Sequence, residues 1–402
     1  MKLAKSVINF FIRVFQSIVS FFTDLVFVGS KSIITPKRRP IITSAEQFEI
    51  PDYNIRGLMF SPREERRGGK KWSCFPDGLR GLIEGKLQYY HDRDDRSRLE
   101  DFIMKIFVFF CACIPHTILP KVRNCYEFDG SVEEPPLPLI LWSHGRGGNT
   151  HDHAMLCSEL ASQVPAIVVA ITHTDGTADF FKREQRGRTA LYQHLKASVR
   201  EDEKFLTQLV EMREYQIRYR VGELCRVVEF MKDHPTYRIN DKIIVGGFEL
   251  GAATALAVAQ QTDFKIAGIL SLDGLFSIED KFKFPRDIFE TPSFICPAAF
   301  VLSDEWSVWN KPVADNTEKL FEMIKKNEKS RLVTLKQTNH LNLTECMFWV
   351  PLVFVRLLRL SGVVHRRGDP RKIYRRMTKW LVSVVQQYVN ESNDEFRVSP
   401  EL

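Results

Sequence analysis

The pentapeptide Gly247-Phe248-Glu249-Leu250-Gly251 constrains this chain more than any other segment. An apolar run, Lys242-Ile243-Ile244-Val245, stands before it, and a train of small residues, Ala252-Ala253-Thr254-Ala255-Leu256-Ala257, follows. The first reads as a buried strand and the second as a helix packed closely on its neighbours. Glycines on either side of the join let strand and helix approach each other around one residue held in a sharp turn. A turn of that kind displays its central side chain at the end of a sheet. Here that side chain is a carboxylate.

From about residue 137 onward, short apolar runs alternate with longer helical ones. Residues 137–142, 166–171, 242–245, 267–272, 298–302 and 332–335 read as buried strands. Helical stretches at 201–232, 254–261 and 317–326 lie between them. This alternation predicts an α/β fold with a mostly parallel central sheet and helices on both faces, and function at the strand C-termini. Those ends carry polar residues in a telling order. The first runs into Ser143-His144-Gly145-Arg146-Gly147-Gly148 and the second into Thr172-His173-Thr174-Asp175-Gly176. The third gives the turn with Glu249, the fourth Asp273-Gly274, the fifth Ser303-Asp304-Glu305, and the sixth leads to Asn339-His340-Leu341-Asn342. Nucleophile position, acid, then histidine is the order of the α/β-hydrolases, whose turn reads G-x-S-x-G. In that arrangement Asp273 orients His340, and His340 serves as base to the residue at position 249.

Charge adds a second theme. Of the net +7 at neutral pH, the first 40 residues supply +6: seven lysines and arginines against one acid, Asp24. A nucleic-acid binder would spread basic charge over a folded face, so no nucleic-acid partner is expected. In the same arm, polar residues recur every three or four positions. A helix there would set Phe10, Phe11, Phe15, Phe21 and Phe22 on a wide apolar face. The expectation is an amphipathic helix lying in a membrane interface, with Pro36-Lys37-Arg38-Arg39-Pro40 on anionic headgroups. A spanning anchor or a secretory signal is the alternative. The expected organisation is a membrane-interacting arm and basic linker over 1–44, one hydrolase domain over 45–390 and a flexible tail over 391–402. The eight cysteines show no C-x-x-C pair and no metal-ligand spacing, which suggests a reducing, cytoplasmic setting without disulfides, metal or cofactor.

Several local pieces then resemble one family, the plasma and type II intracellular platelet-activating-factor acetylhydrolases. They are Trp142-Ser143-His144-Gly145, Thr172-His173-Thr174-Asp175-Gly176-Thr177-Ala178, Arg213-Glu214-Tyr215-Gln216-Ile217-Arg218, the Glu249 turn, Leu272-Asp273 and Asn339-His340-Leu341-Asn342. The resemblance spans about residues 45–390. It implies an enzyme that cleaves short or oxidised sn-2 acyl chains from phospholipids, in lipid catabolism, with a membrane surface as partner. It also implies that Asp273 and His340 are acid and base, and that the backbone N–H groups of Arg146 and Leu250 are oxyanion donors. Two apolar stretches resemble the family's interface-docking helices: 102–110, with Phe107, Phe109 and Phe110, and 347–360, with Trp349.

Glu249 stands where that family has its serine, and Arg146 where it commonly has an apolar residue. A carboxylate has no proton to give a base, and its attack on an ester would form a mixed anhydride that readily reverts. Three classes follow: a hydrolase with impaired or redirected activity, an inactive member that binds lipid or a protein partner at the membrane, and an enzyme with a carboxylate nucleophile. A buried Glu249 also demands a partner, so an ion pair with Arg146 or with protonated His340 is expected to fill the old site.

Overall fold

The computed structural model describes residues 42–63, 70–73, 121–127, 135–182, 189–191, 203–278, 282–290, 296–309, 311–345 and 370–390. Phe10, Phe11, Phe15, Phe21, Phe22, Phe107, Phe109, Phe110 and Trp349 lie outside the described residues.

Strands β5 (Leu137–Ser143), β6 (Ile167–Thr172) and β9 (Ile239–Phe248) form the centre, flanked by β10 (Ile266–Leu272), β11 (Ala298–Ser303) and β12 (Arg331–Leu335). All six are parallel to their neighbours in this group. On the far side of β6, β2 (Ile55–Arg63) joins antiparallel and pairs in turn with β1 (Ile42–Ile50). The short strands β4 (Lys121–Glu127) and β3 (Lys71–Ser73) complete a ten-stranded sheet. A separate two-stranded ribbon pairs β7 (Phe180–Lys182) with β8 (Thr189–Leu191).

The central strands are apolar on both faces because both are covered. Ile140, Trp142, Val168, Ala170 and Ile244 face one layer, built from α1 (Ala154–Gln163) and α7 (Pro370–Val389). Their alternates Leu139, Leu141, Val169, Ile243 and Val245 face the other, built from α2 (Glu203–Lys232), α3 (Leu250–Gln261) and α6 (Lys311–Ile324). Two short helices, α4 (Arg286–Glu290) and α5 (Asp304–Trp309), sit between elements of the second half. This is the α/β arrangement expected from the strand-helix alternation.

Some elements differ in extent. Helix α3 begins at Leu250, immediately after the turn, rather than at 254, and α6 begins at Lys311 rather than at 317. Two further features went unread in the sequence. The β1–β2 hairpin buries polar side chains in pairs: Ser44 Oγ lies 2.7 Å from Ser61 Oγ, and Thr43 Oγ1 lies 2.8 Å from Ser158 Oγ on α1. Helix α7 buries Tyr374, Met377, Leu381, Val384 and Val385, whose spacing of three and four residues makes one apolar face. Among the described residues no helix is long and apolar enough to cross a membrane.

Candidate active site

The turn after β9 is as tight as its sequence predicts. A Cβ on Gly247 would come within 2.3 Å of the Gly251 backbone, and one on Gly251 within 2.0 Å of the Ser143 carbonyl oxygen. Between them Glu249 adopts φ 54° and ψ −114°, a conformation that side-chain-bearing residues rarely hold. It is locked by its surroundings: the Glu249 N–H donates to Leu272 O at 2.9 Å, and its carbonyl accepts from Leu275 N at 3.0 Å. Strain of this kind costs on the order of 1–3 kcal/mol and persists only where neighbours over-determine it.

The carboxylate of Glu249 is buried and fully engaged. Oε2 accepts from the backbone N–H of Arg146 at 2.6 Å and from that of Leu250 at 3.3 Å. Oε1 accepts from Arg146 Nε at 2.6 Å and also meets its Nη2. The two amides marked as oxyanion donors therefore grip the side chain of the chain's own residue 249. Of the two ion pairs envisaged from the sequence, the one with Arg146 is formed. No hydrogen bond joins Glu249 to His340 among the described residues. Burial alone would raise the Glu249 pKa, but the charge and hydrogen bonds of Arg146, with a smaller effect of His340, outweigh it and hold the carboxyl down at about 2.

Asp273 and His340 come together as well. Asp273 Oδ2 lies 2.9 Å from His340 Nδ1, and the aspartate is wholly buried. Ser303 fixes it, donating from its N–H to Oδ1 and from its Oγ to Oδ2, each at 2.6 Å. The imidazole is sandwiched between Phe248, 4.5 Å between ring centroids, and Trp306, 4.2 Å and nearly parallel. Its backbone N–H donates to Glu305 Oε2 at 2.7 Å. With Nδ1 turned to Asp273, Nε2 is the ring nitrogen left for proton exchange, the geometry of a general base.

Sequence reasoning missed a second polar centre under the Ser143–Gly148 loop. His173 Nδ1 lies 2.6 Å from Glu223 Oε2, and its Nε2 lies 2.7 Å from Ser143 Oγ. Arg220, one turn before Glu223 on α2, donates from Nε to Asp175 Oδ2 at 2.7 Å and from Nη1 to the His144 carbonyl at 2.7 Å. Glu223 also accepts from the Thr174 N–H and hydroxyl. Burial, and secondarily the positive charge of Arg220, pushes His173 well below its ordinary pKa, against the opposing charge of Asp175. Burial pushes Glu223 up to about 7 against the bonds from Thr174. Ser143, His173 and Glu223 share the atoms of a catalytic relay, yet Ser143 is wholly enclosed. The signal available in the sequence was the pair Arg220 and Glu223, two charges at i and i+3 in the middle of a long helix.

Sheet order and the turn after β9 together define an α/β-hydrolase fold. A ferulic acid esterase from Streptomyces cinnamoneus shares the fold, with a TM-score of 0.53 at 15% identity over 88% of this chain and 92% of the esterase. A short segment is similar to acyl-protein thioesterase 1 of Debaryomyces hansenii, 48% identical over 40 residues, which is 10% of this chain and 17% of that protein's length. The family described as "Platelet-activating factor acetylhydrolase, isoform II" matches residues 108–236 and 232–400. The chain belongs to that family.

Proposed function

We propose that this protein is a phospholipid-directed sn-2 ester hydrolase scaffold, working at membrane surfaces in lipid catabolism, whose turnover is strongly impaired by Glu249. The observation that carries the impairment is the seating of the Glu249 carboxylate between the Arg146 and Leu250 amides. In ester cleavage those donors would receive the negative charge that develops on the substrate carbonyl oxygen. Occupied by a carboxylate with both oxygens engaged, they have no room for that oxygen, and the ion pair with Arg146 holds the carboxylate back from attack. With its proton lost at about pH 2, Glu249 also gives His340 nothing to abstract. Support for the lipid and its short sn-2 chain comes from family membership, and support for the membrane surface comes from the composition of the N-terminal arm. If turnover is absent altogether, lipid binding becomes the remaining role of the scaffold.

The test is hydrolysis of a short sn-2 acyl phospholipid by the native protein, Glu249→Ser and Glu249→Ser/His340→Ala. The native chain is expected near background. Glu249→Ser should gain about 1,000-fold or more, and lose that gain with His340→Ala. Native turnover that vanishes on His340→Ala alone would contradict the proposal. Sedimentation with anionic vesicles, comparing native protein with Phe10→Asp/Phe11→Asp, tests the membrane surface; equal binding by both counts against the arm.

A further inference from the structure

The loop that presents Arg146 is also held by hydrogen bonds that do not involve Glu249. Gly147 N–H donates to Thr177 O at 2.8 Å, Gly148 N–H donates to Gly145 O at 3.2 Å, and His173 N–H donates to His144 Nε2 at 3.0 Å. Beneath these bonds stands α2, with Arg220 on the His144 carbonyl and Glu223 on His173 and Thr174. Arg220 is wholly buried, and its Nη2 also meets Thr177 Oγ1, so one guanidinium ties the 143–148 loop to the 173–178 loop. A buried guanidinium with its donors spread over two loops fixes their separation, because its planar fork tolerates little displacement.

We infer that Arg220 and Glu223 are positioning residues for the anion hole: acting through His144, His173 and Asp175, they hold the Arg146 N–H and guanidinium where these grip a carboxylate, whether or not Glu249 supplies it. The hole is then a preformed receptor for a small monocarboxylate, filled in the native protein by its own side chain. The inference rests on the hole and its supports, and not on the chain having once been a hydrolase.

Glu249→Gly exposes the receptor and suits the local backbone, since glycine adopts a positive φ without strain. Acetate titrated against Glu249→Gly, by calorimetry and by thermal shift, should bind with saturation and raise Tm, while the native protein should not respond. In the same background Glu223→Gln keeps the side-chain volume, and Arg220→Met/Asp175→Asn removes a charge pair together, so neither leaves a lone buried charge. Each should weaken acetate binding by roughly tenfold, by displacing the Arg146 donors from one of their charge-assisted bonds to the ligand. Arg220→Lys should recover part of the affinity, which a general loss of stability would not explain. Should a second-site variant fail to fold, amide exchange of the 143–150 segment in Glu249→Gly decides: protection like that of the native protein supports a preformed hole. Failure of Glu249→Gly to bind acetate, or acetate affinity indifferent to Glu223→Gln, overturns the inference. Acetate binding combined with an inert Glu249→Ser would instead leave the inference standing and defeat the impaired-hydrolase reading.

Discussion

The two halves of this site have followed different chemistry on one scaffold. On the base side, Asp273, His340, Ser303, Glu305 and Trp306 keep an imidazole oriented with Nε2 outward, as general-base catalysis needs. On the nucleophile side, Glu249 and Arg146 turn the turn and hole into a closed ion pair. Backbone geometry is common to both halves: Asp273 and Glu249 each hold a positive φ at a strand end. The comparison teaches that the fold places these positions independently of what their side chains can do. The Glu249 carboxylate occupies the two amides that, beside a hydroxyl at the same turn, would receive a substrate carbonyl oxygen.

Four substitutions test that contrast, taken in falling order of their expected size. In the Glu249→Ser background, Asp273→Asn should lower ester turnover by about 10,000-fold, because it presents the wrong tautomer of His340 to the serine. Steady-state rates check this, and a loss under tenfold would mean the base side is not organised for catalysis. In the native chain, Arg146→Ala should cost about 3 kcal/mol in urea unfolding, since it leaves the buried Glu249 carboxylate without its cation.

Acid should act on the same half. The Glu249 pKa falls from an ordinary 4.5 to about 2 on folding. Its contribution is therefore fully present above about pH 4.5 and is lost as pH falls through 2, because the unfolded chain takes up the proton first. Glu249→Gln should flatten that stretch of the stability-versus-pH curve by an amount on the order of 3 kcal/mol. An unchanged curve would place the acid sensitivity elsewhere. The smallest effect belongs to the base side: Glu305→Ala removes one hydrogen bond to the His340 backbone and should cost about 1 kcal/mol in thermal unfolding.

Much of this was legible in the sequence, and the rest was hidden for physical reasons. The order Glu249, Asp273, His340 could be read because each follows an apolar run at a strand end, where local pattern and function coincide. The Arg146 partner could be anticipated because a buried carboxylate requires a cation. Strands β1 and β2 escaped because their buried Ser44 and Ser61 pair with each other and Thr43 pairs with Ser158 on α1, which no apolar period records. Helix α7 carries a readable apolar face but no strand-end motif, so it gave nothing to a reading built on strand ends. The clamp of Arg220 and Glu223 depends on contacts between residues 43 to 77 positions apart, and the helix's own pattern shows only that the two charges share a face.

Whether Glu249 holds the hole as a charged carboxylate can be read by NMR of the Arg146 amide and Nε–H protons in native protein and Glu249→Gln. Both protons should be shifted downfield and slow to exchange in the native protein, with both signatures lost or strongly reduced in Glu249→Gln. Identical shifts and exchange in the two proteins would contradict a charged carboxylate in the hole.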